Sequence, residues 1–121
     1  MISLSYRLAP EVLFPEQVRD ILAAFRWIAA HGAEYPCQME NLFLTGDSAG
    51  GLLAAYTALV NESVDLQRIY GTQGSGLRFN ALGLTSGMFL TTRGAMKILR
   101  STIFGADYHK QAFMPAWILQ I

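Results

Sequence analysis

The stretch "LFLTGDSAGGLLAAY", residues 42–56, decides how this chain folds. An almost continuous apolar run ends at "GDSAGG", and a second apolar run begins directly after it. The first run is short, which is typical of a buried strand in a parallel sheet, and it predicts a strand over residues 41–45. Small residues followed by apolar ones at helical spacing predict a helix from residue 49 to about residue 61. Ser48 is therefore expected in a tight turn between a strand and a helix.

The rest of the chain continues this alternation of strands and helices. Residues 1–8 alternate apolar and polar side chains and predict a strand. Residues 16–31 carry apolar side chains at helical spacing and predict a helix, with Gly32 as a left-handed cap. A third strand is predicted over residues 79–86, and a helix over about residues 95–104. This order predicts an α/β fold in which helices flank a parallel sheet of three visible strands.

Composition limits the classes of protein to which the chain can belong. Its 121 residues fit one domain, and their formal net charge is zero, which gives no attraction to nucleic acid or to acidic membranes. No apolar stretch approaches the roughly 18 residues of a membrane span. Cys37 is the single cysteine, so an internal disulfide is excluded. With no secretory signal visible in the sequence, a cytoplasmic location is expected.

Ser48 is the candidate nucleophile. A serine hydroxyl is weakly nucleophilic and needs a base to activate it and donors for the oxyanion that forms on attack. In the pattern Gly-x-Ser-x-Gly, here Gly46 to Gly50, a turn between strand and helix exposes the hydroxyl. The backbone amide of Ala49 and the dipole of the following helix would face the oxyanion. The alternative is a glycine-rich turn in which the serine only caps the helix.

Three segments together resemble a known family. They are "SYRLAPEVLFP" at residues 5–15, "AAFRWIAAHG" at residues 23–32 and "GDSAGG" at residues 46–51. Their combination is similar to the hormone-sensitive-lipase branch of the α/β-hydrolases, a group of esterases and lipases. The resemblance covers about residues 3–59, and "LGLTSGM", at residues 82–88, stands where the next core strand of that family belongs.

The resemblance implies an activity and two site residues. It implies hydrolysis of carboxylic esters, usually short-chain or aromatic, with a small-molecule ester as the binding partner and without a metal or other cofactor. Ser48 matches the family's nucleophile, and Ala49 matches the residue whose amide lies in the oxyanion hole. Asp47 matches an acidic position beside the nucleophile, and no chemical step is assigned to it.

The chain departs from the family pattern at both ends. An oxyanion motif, His-Gly-Gly-Gly, normally precedes the "YRLAPE" segment, and an acid and a histidine normally follow the nucleophile on two later strands. None of these is recognisable in this sequence. Residues 1–121 are therefore interpreted as a single partial α/β-hydrolase domain, in which about residues 90–121 form covering helices. This chain alone is expected to have little or no esterase activity.

Other residues could in principle complete a catalytic triad or form a pocket. Asp107 and His109 follow Ser48 in the right order, but they are only two residues apart, and a helix cap and a surface residue are expected instead. His31 is expected to favour the dipole at the end of the first helix. The residues after the third strand can line a pocket or pack in the core, and they are Ser86, Met88 and Phe89.

The sequence is also compatible with two other functions. Some α/β-hydrolase relatives keep the pocket, lack the histidine and bind small molecules without hydrolysing them. An unrelated α/β protein with a glycine-rich turn is the second alternative. A histidine and an acid on later strands would favour the enzyme over the binding module, and a serine in an ordinary helix cap would favour the unrelated protein.

Overall fold

A computed structural model describes residues 1–87 of the protein together with Gly105, Asp107 and Lys110. In chain order the elements are α1 (Glu16–His31), a 3-10 turn (Gly32–Glu34), β1 (Leu42–Asp47), α2 (Ala49–Glu62), α3 (Val64–Tyr70) and β2 (Phe79–Thr85). The helix predicted at residues 95–104 and most of the covering region predicted at residues 90–121 lie outside the described residues.

The two strands form a parallel pair. Leu44 lies beside Leu82, and Asp47 lies beside Thr85, so both strands end at the same edge of the sheet. The chain passes from β1 to β2 through α2 and α3, and α2 packs against both strands and against α1. The predicted α/β fold with a parallel sheet is therefore confirmed.

The prediction of a strand over residues 1–8 is wrong. In the part of the chain that the structure describes, two strands are present rather than three, and residues 1–8 belong to neither of them. A strand needs a neighbour with which to exchange backbone hydrogen bonds, whereas a cleft separates residues 1–6 from β1. Alternation of apolar and polar residues is present in this segment, but no partner strand lies beside it among the described residues.

An ion pair holds this first segment against α1. The Arg7 guanidinium donates to the Asp20 carboxylate at 2.6 Å, and the Arg7 backbone N–H donates to the same carboxylate at 3.1 Å. The Arg7 hydrogen bonds lower the pKa of Asp20, and burial opposes them only in part. Arg7 therefore fixes the path of the chain before α1.

The prediction that β1 is buried is also wrong. Its residues alternate between half-buried and exposed, and Phe43 is 69% exposed. Leu42 and Leu44 point to the helices and pack against the core. A short apolar run predicts a strand with two covered faces, but within the described chain the helices cover only one face of β1.

The core lies between the helices. Its fully buried side chains are Val18, Leu22 and Phe25 on α1, Thr57 and Val60 on α2, and Tyr70 on α3. Phe14, just before α1, contacts Tyr56 and Tyr70 edge-on at ring-centroid distances of 6.2 and 5.8 Å. These edge-to-face contacts are a favourable arrangement for aromatic rings, and they join α2 and α3 to the segment that precedes α1.

Gly32 does not adopt the predicted left-handed cap. Its φ of −57° and ψ of −32° are right-handed, because the chain continues into the 3-10 turn instead of reversing at the end of α1. A Cβ at this position would lie 2.5 Å from the Met39 sulfur. The Met39 thioether is the far end of a flexible side chain and can move to admit a Cβ, so neither backbone handedness nor close packing requires a glycine here.

Candidate active site

Ser48 is the single residue between β1 and α2. Its backbone has φ 52° and ψ −116°, a region that residues other than glycine rarely adopt. Ser48 is exposed, its side chain does not cap α2, and its hydroxyl has no hydrogen-bond partner among the described residues. The alternative of an ordinary capping serine therefore does not hold.

Two glycines permit this sharp turn. A Cβ on Gly46 would overlap the carbonyl of Gly50 and lie 2.8 Å from the Gly51 nitrogen. A Cβ on Gly51 would lie 3.0 Å from the carbonyl oxygens of Gly46 and Thr85. The start of α2 therefore packs directly against the backbone at the ends of β1 and β2, with no room for a side chain.

Gly50 differs from its two neighbours in the motif. A Cβ at this position would meet no atom within 4 Å. Gly50 lies at the edge of a cleft of about 420 Å³ between residues 1–6 and β1, and Gly46 and Leu53 also line this cleft. Close packing within the described chain therefore requires glycine at residue 46 and leaves little space at Gly51, whereas it does not restrict Gly50.

Hydrogen bonds fix the backbone of Ser48 on both sides. Its N–H donates to the Thr85 carbonyl at 2.8 Å, and its own carbonyl accepts from the Leu52 N–H at 3.1 Å. The first bond joins the turn to the end of β2, and the second begins the hydrogen bonding of α2. The sequence gives no sign of Thr85 as this partner, because a backbone carbonyl 37 residues away leaves no signal in side-chain identity.

Ala49 begins α2, directly after Ser48. The first four N–H groups of a helix have no acceptor within the helix, and the N-terminus carries a partial positive charge. The Ala49 amide, in the residue after Ser48, is therefore one of the N–H groups that have no acceptor within α2. Asp47 is exposed at the end of β1.

The described residues bring no histidine to the Ser48 hydroxyl. His31 lies at the end of α1, where its Nδ1 is 2.8 Å from a Glu34 carboxylate oxygen and its ring is tilted against that of Trp27, with 5.0 Å between the ring centroids. Asp107 is exposed and pairs with Lys110 at 3.3 Å. His109 lies outside the described residues, so the predicted surface role of this residue stays a prediction.

The other candidate residues are only partly described. Ser86 follows β2 directly and has a φ of 51°, whereas Met88 and Phe89 lie outside the described residues. No group of three or more histidine, cysteine, aspartate or glutamate side chains suited to a metal ion occurs in the described part of the chain. None of the helices described is long and apolar enough to cross a membrane.

Comparison with known sequences shows similarity to esterases. The chain is 43% identical over 58 residues to Esterase LipI of Mycobacterium tuberculosis, and the match covers 48% of this chain and 18% of that protein. It is 33% identical over 89 residues to neutral cholesterol ester hydrolase 1 of Mus musculus, with 66% of this chain and 22% of that protein covered. The chain therefore spans about a fifth of the length of these relatives.

Comparison with solved structures points the same way. Esterase B from Lactobacillus rhamnosis, in a crystal structure of its tributyrin phosphonate-inhibited form, matches with a TM-score of 0.79 and 29% sequence identity. This match covers 88% of the present chain and 36% of Esterase B. A sequence model of the alpha/beta hydrolase fold matches residues 1–117. The chain therefore belongs to the α/β-hydrolase fold family, in its hormone-sensitive-lipase-type branch of esterases and lipases.

Proposed function

We propose that this chain carries the nucleophile of a serine carboxylesterase, and that Ser48 is this nucleophile. The observation that carries the proposal is the exposed Ser48 on a left-handed backbone at the carboxyl edge of a parallel sheet, its hydroxyl unbonded within the described chain. Ligands of open α/β sheets bind at this edge. A turn of this kind is costly for serine, and costly backbone conformations cluster at functional sites.

The proposed reaction is acyl transfer through Ser48. The Ser48 oxygen attacks the ester carbonyl, a base takes the hydroxyl proton, and the carbonyl oxygen becomes an oxyanion. The Ala49 amide donates to this oxyanion, and one such donor is typically worth about 10²–10³-fold in rate. The alcohol leaves with a proton, and water then releases the acid from the acyl-enzyme.

The relatives support an ester as the substrate. Esterase LipI and neutral cholesterol ester hydrolase 1 are named for ester hydrolysis, and Esterase B is inhibited by a tributyrin phosphonate. A phosphonate places a tetrahedral centre where an ester would carry its carbonyl. We propose a small-molecule carboxylic ester, short-chain or aromatic, as the substrate of the protein in which this chain acts.

A base and an acid complete the proposed mechanism. His31, the one histidine among the described residues, pairs with Glu34, and the Ser48 hydroxyl has no hydrogen-bond partner in that part of the chain. We therefore propose that the 121-residue chain alone turns over esters at close to the background rate. Imidazole added in solution can substitute for the base. The reactivity of the Ser48 hydroxyl can therefore be measured in the chain alone.

The test is covalent labelling with a p-nitrophenyl alkylphosphonate in the presence of imidazole. The Ser48 oxygen forms a bond to phosphorus, p-nitrophenolate leaves, and imidazole accepts the proton. Peptide mass spectrometry then gives the occupancy at each serine. We expect Ser48 to be labelled about tenfold faster than Ser5, an exposed serine outside the motif, because Ser48 has an oxyanion donor beside it.

Two matched variants complete the experiment. Ser48→Ala should remove the fast-labelled site, and Ser5→Ala should leave labelling of Ser48 unchanged. Equal labelling of Ser48 and Ser5 would contradict the proposal, since Ser48 would then be an ordinary surface hydroxyl. Binding of an ester analogue without preferential labelling would favour the non-catalytic binding module.

A further inference from the structure

Two residues other than glycine have a positive φ in the described part of the chain, and both are serines. They are Ser48, with φ 52°, and Ser86, with φ 51°. Each follows the last residue of a strand, and these last residues, Asp47 and Thr85, lie side by side in the sheet. Neighbouring strands thus end in two left-handed turns at the same edge.

A hydrogen bond connects the two turns. The Ser48 N–H donates to the Thr85 carbonyl at 2.8 Å, and this carbonyl belongs to the peptide that joins Thr85 to Ser86. The direction of the carbonyl therefore depends on how the chain leaves β2 at Ser86. A left-handed residue in place of an extended one ends the strand at this peptide and turns the following backbone away from the strand direction.

The chain after Ser86 also packs against the start of α2. A Cβ on Gly51 would lie 3.0 Å from the Thr85 carbonyl oxygen and 3.5 Å from the Gly87 Cα. The backbone on both sides of Ser86 thus borders the first turn of α2. A change in the turn at Ser86 would move the acceptor of the Ser48 N–H and the backbone that supports the helix.

We propose that Ser86 is a positioning residue for Ser48. A residue other than glycine keeps a positive φ only where its surroundings hold it there. For Ser86, the hydrogen bond from the Ser48 N–H to the Thr85 carbonyl is such a constraint. The turn at Ser86 aims the Thr85 carbonyl at the Ser48 N–H and so holds Ser48 at positive φ. The catalytic consequence rests on the proposed function of Ser48, whereas the backbone coupling does not.

Amide hydrogen exchange at Ser48, measured by NMR, tests the coupling directly. Ser86→Gly should leave exchange at Ser48 near its original rate, because glycine adopts positive φ at little cost. Ser86→Val should speed it about tenfold, since a β-branched residue is strained there. Ser86→Ala is a milder variant that serves if Ser86→Val does not fold.

Gly76→Val is the matched control. Gly76 has a φ of +76°, and a Cβ added there would meet no atom within 4 Å, so a β-branched residue adds backbone strain at this position while its Cβ meets no neighbour. Gly76→Val should leave amide hydrogen exchange at Ser48 unchanged when it and Ser86→Val are compared under conditions of equal global stability. Equal acceleration by Ser86→Val and Gly76→Val, or no acceleration by Ser86→Val, would overturn the proposal.

Phosphonate labelling of the same variants provides the second readout. Ser86→Val should slow labelling of Ser48 about tenfold, and Ser86→Gly should restore it. Absence of labelling in the parent chain would count against the proposed function of Ser48, while exchange at its amide would still decide the role of Ser86. Slower labelling of Ser86→Val with unchanged exchange at the Ser48 amide would overturn the positioning role.

Discussion

The helices and the sheet of this molecule differ in how completely they are buried. Leu22 and Val18 on α1 are fully buried, as is Tyr70 at 1% exposure on α3. On the strands, Phe43 is 69% exposed and Leu82 is 41% exposed. The fully buried side chains of the described residues thus come from the helices.

This difference indicates that the residues that stabilise the fold are not the residues that form the candidate site. Hydrophobic stabilisation follows the apolar area removed from water, so the helical core supplies most of it. The sheet contributes the two aligned strand ends at which Ser48 and Ser86 turn. We expect substitutions in the helical core to change global unfolding and substitutions at the strand ends to change local geometry.

The largest expected effect comes from a substitution in the helical core, compared with one on the exposed face of the sheet. Leu22→Ala, at a fully buried position, should lower the free energy of unfolding by about 3 kcal/mol, because it removes buried methyl groups and leaves a cavity. Phe43→Ala should change it by about 0.5 kcal/mol or less, since its ring is mostly in solvent. Urea unfolding followed by circular dichroism measures both. Equal losses would show that the outer face of the sheet is covered in solution.

A pair of glycine variants probes the strand end. Gly46→Ala should destabilise the chain by about 2 kcal/mol, because its Cβ would overlap the Gly50 backbone. Gly50→Ala should stabilise it by about 0.5–1 kcal/mol, because alanine favours a helix and meets no neighbour. Thermal unfolding of both variants shows whether each substitution stabilises or destabilises the chain. A loss of stability in Gly50→Ala would mean that the cleft beside Gly50 is filled in solution.

The smallest expected effect concerns the ion pair between Arg7 and Asp20. Since Arg7 lowers the pKa of Asp20, the pair stabilises the fold above the ordinary pKa of aspartate. This contribution should fade as the pH falls through the lowered pKa. Because Arg7 is exposed, loss of the ion pair should lower the free energy of unfolding by less than Leu22→Ala or Gly46→Ala does.

Urea unfolding of the parent and of Asp20→Asn, measured between about pH 2 and pH 7, tests the ion pair. The stability difference between the two should be constant near neutral pH and shrink in acid. Arg7→Gln should lower the free energy of unfolding by the same amount as Asp20→Asn. The variant that carries both changes should be little less stable than either single variant. Additive losses from the two single changes would contradict a direct interaction.

The local pattern of apolar residues, helical spacing in α1 and α2 and a short apolar run in β1, is sufficient to predict both helices and the two paired strands. It failed where a structure depends on a distant partner, as in residues 1–8, whose alternation found no neighbouring strand among the described residues. The helix α3 was missed although its caps are visible in the sequence. The Ser63 side chain accepts from the Leu66 N–H at 3.3 Å, and Gly71 is left-handed at the other end. Its seven residues are too few to show a clear helical period.

The sequence by itself determined the α/β order and the candidate nucleophile, because "GDSAGG" between an apolar strand and an apolar helix is a local signal. Only the tertiary structure decided what surrounds Ser48. The acceptor of its N–H is the carbonyl of Thr85, and the space beside Gly50 is open. Every residue has the same backbone carbonyl, and open space is a property of the assembled chain. Neither can be read from residue identities along the sequence.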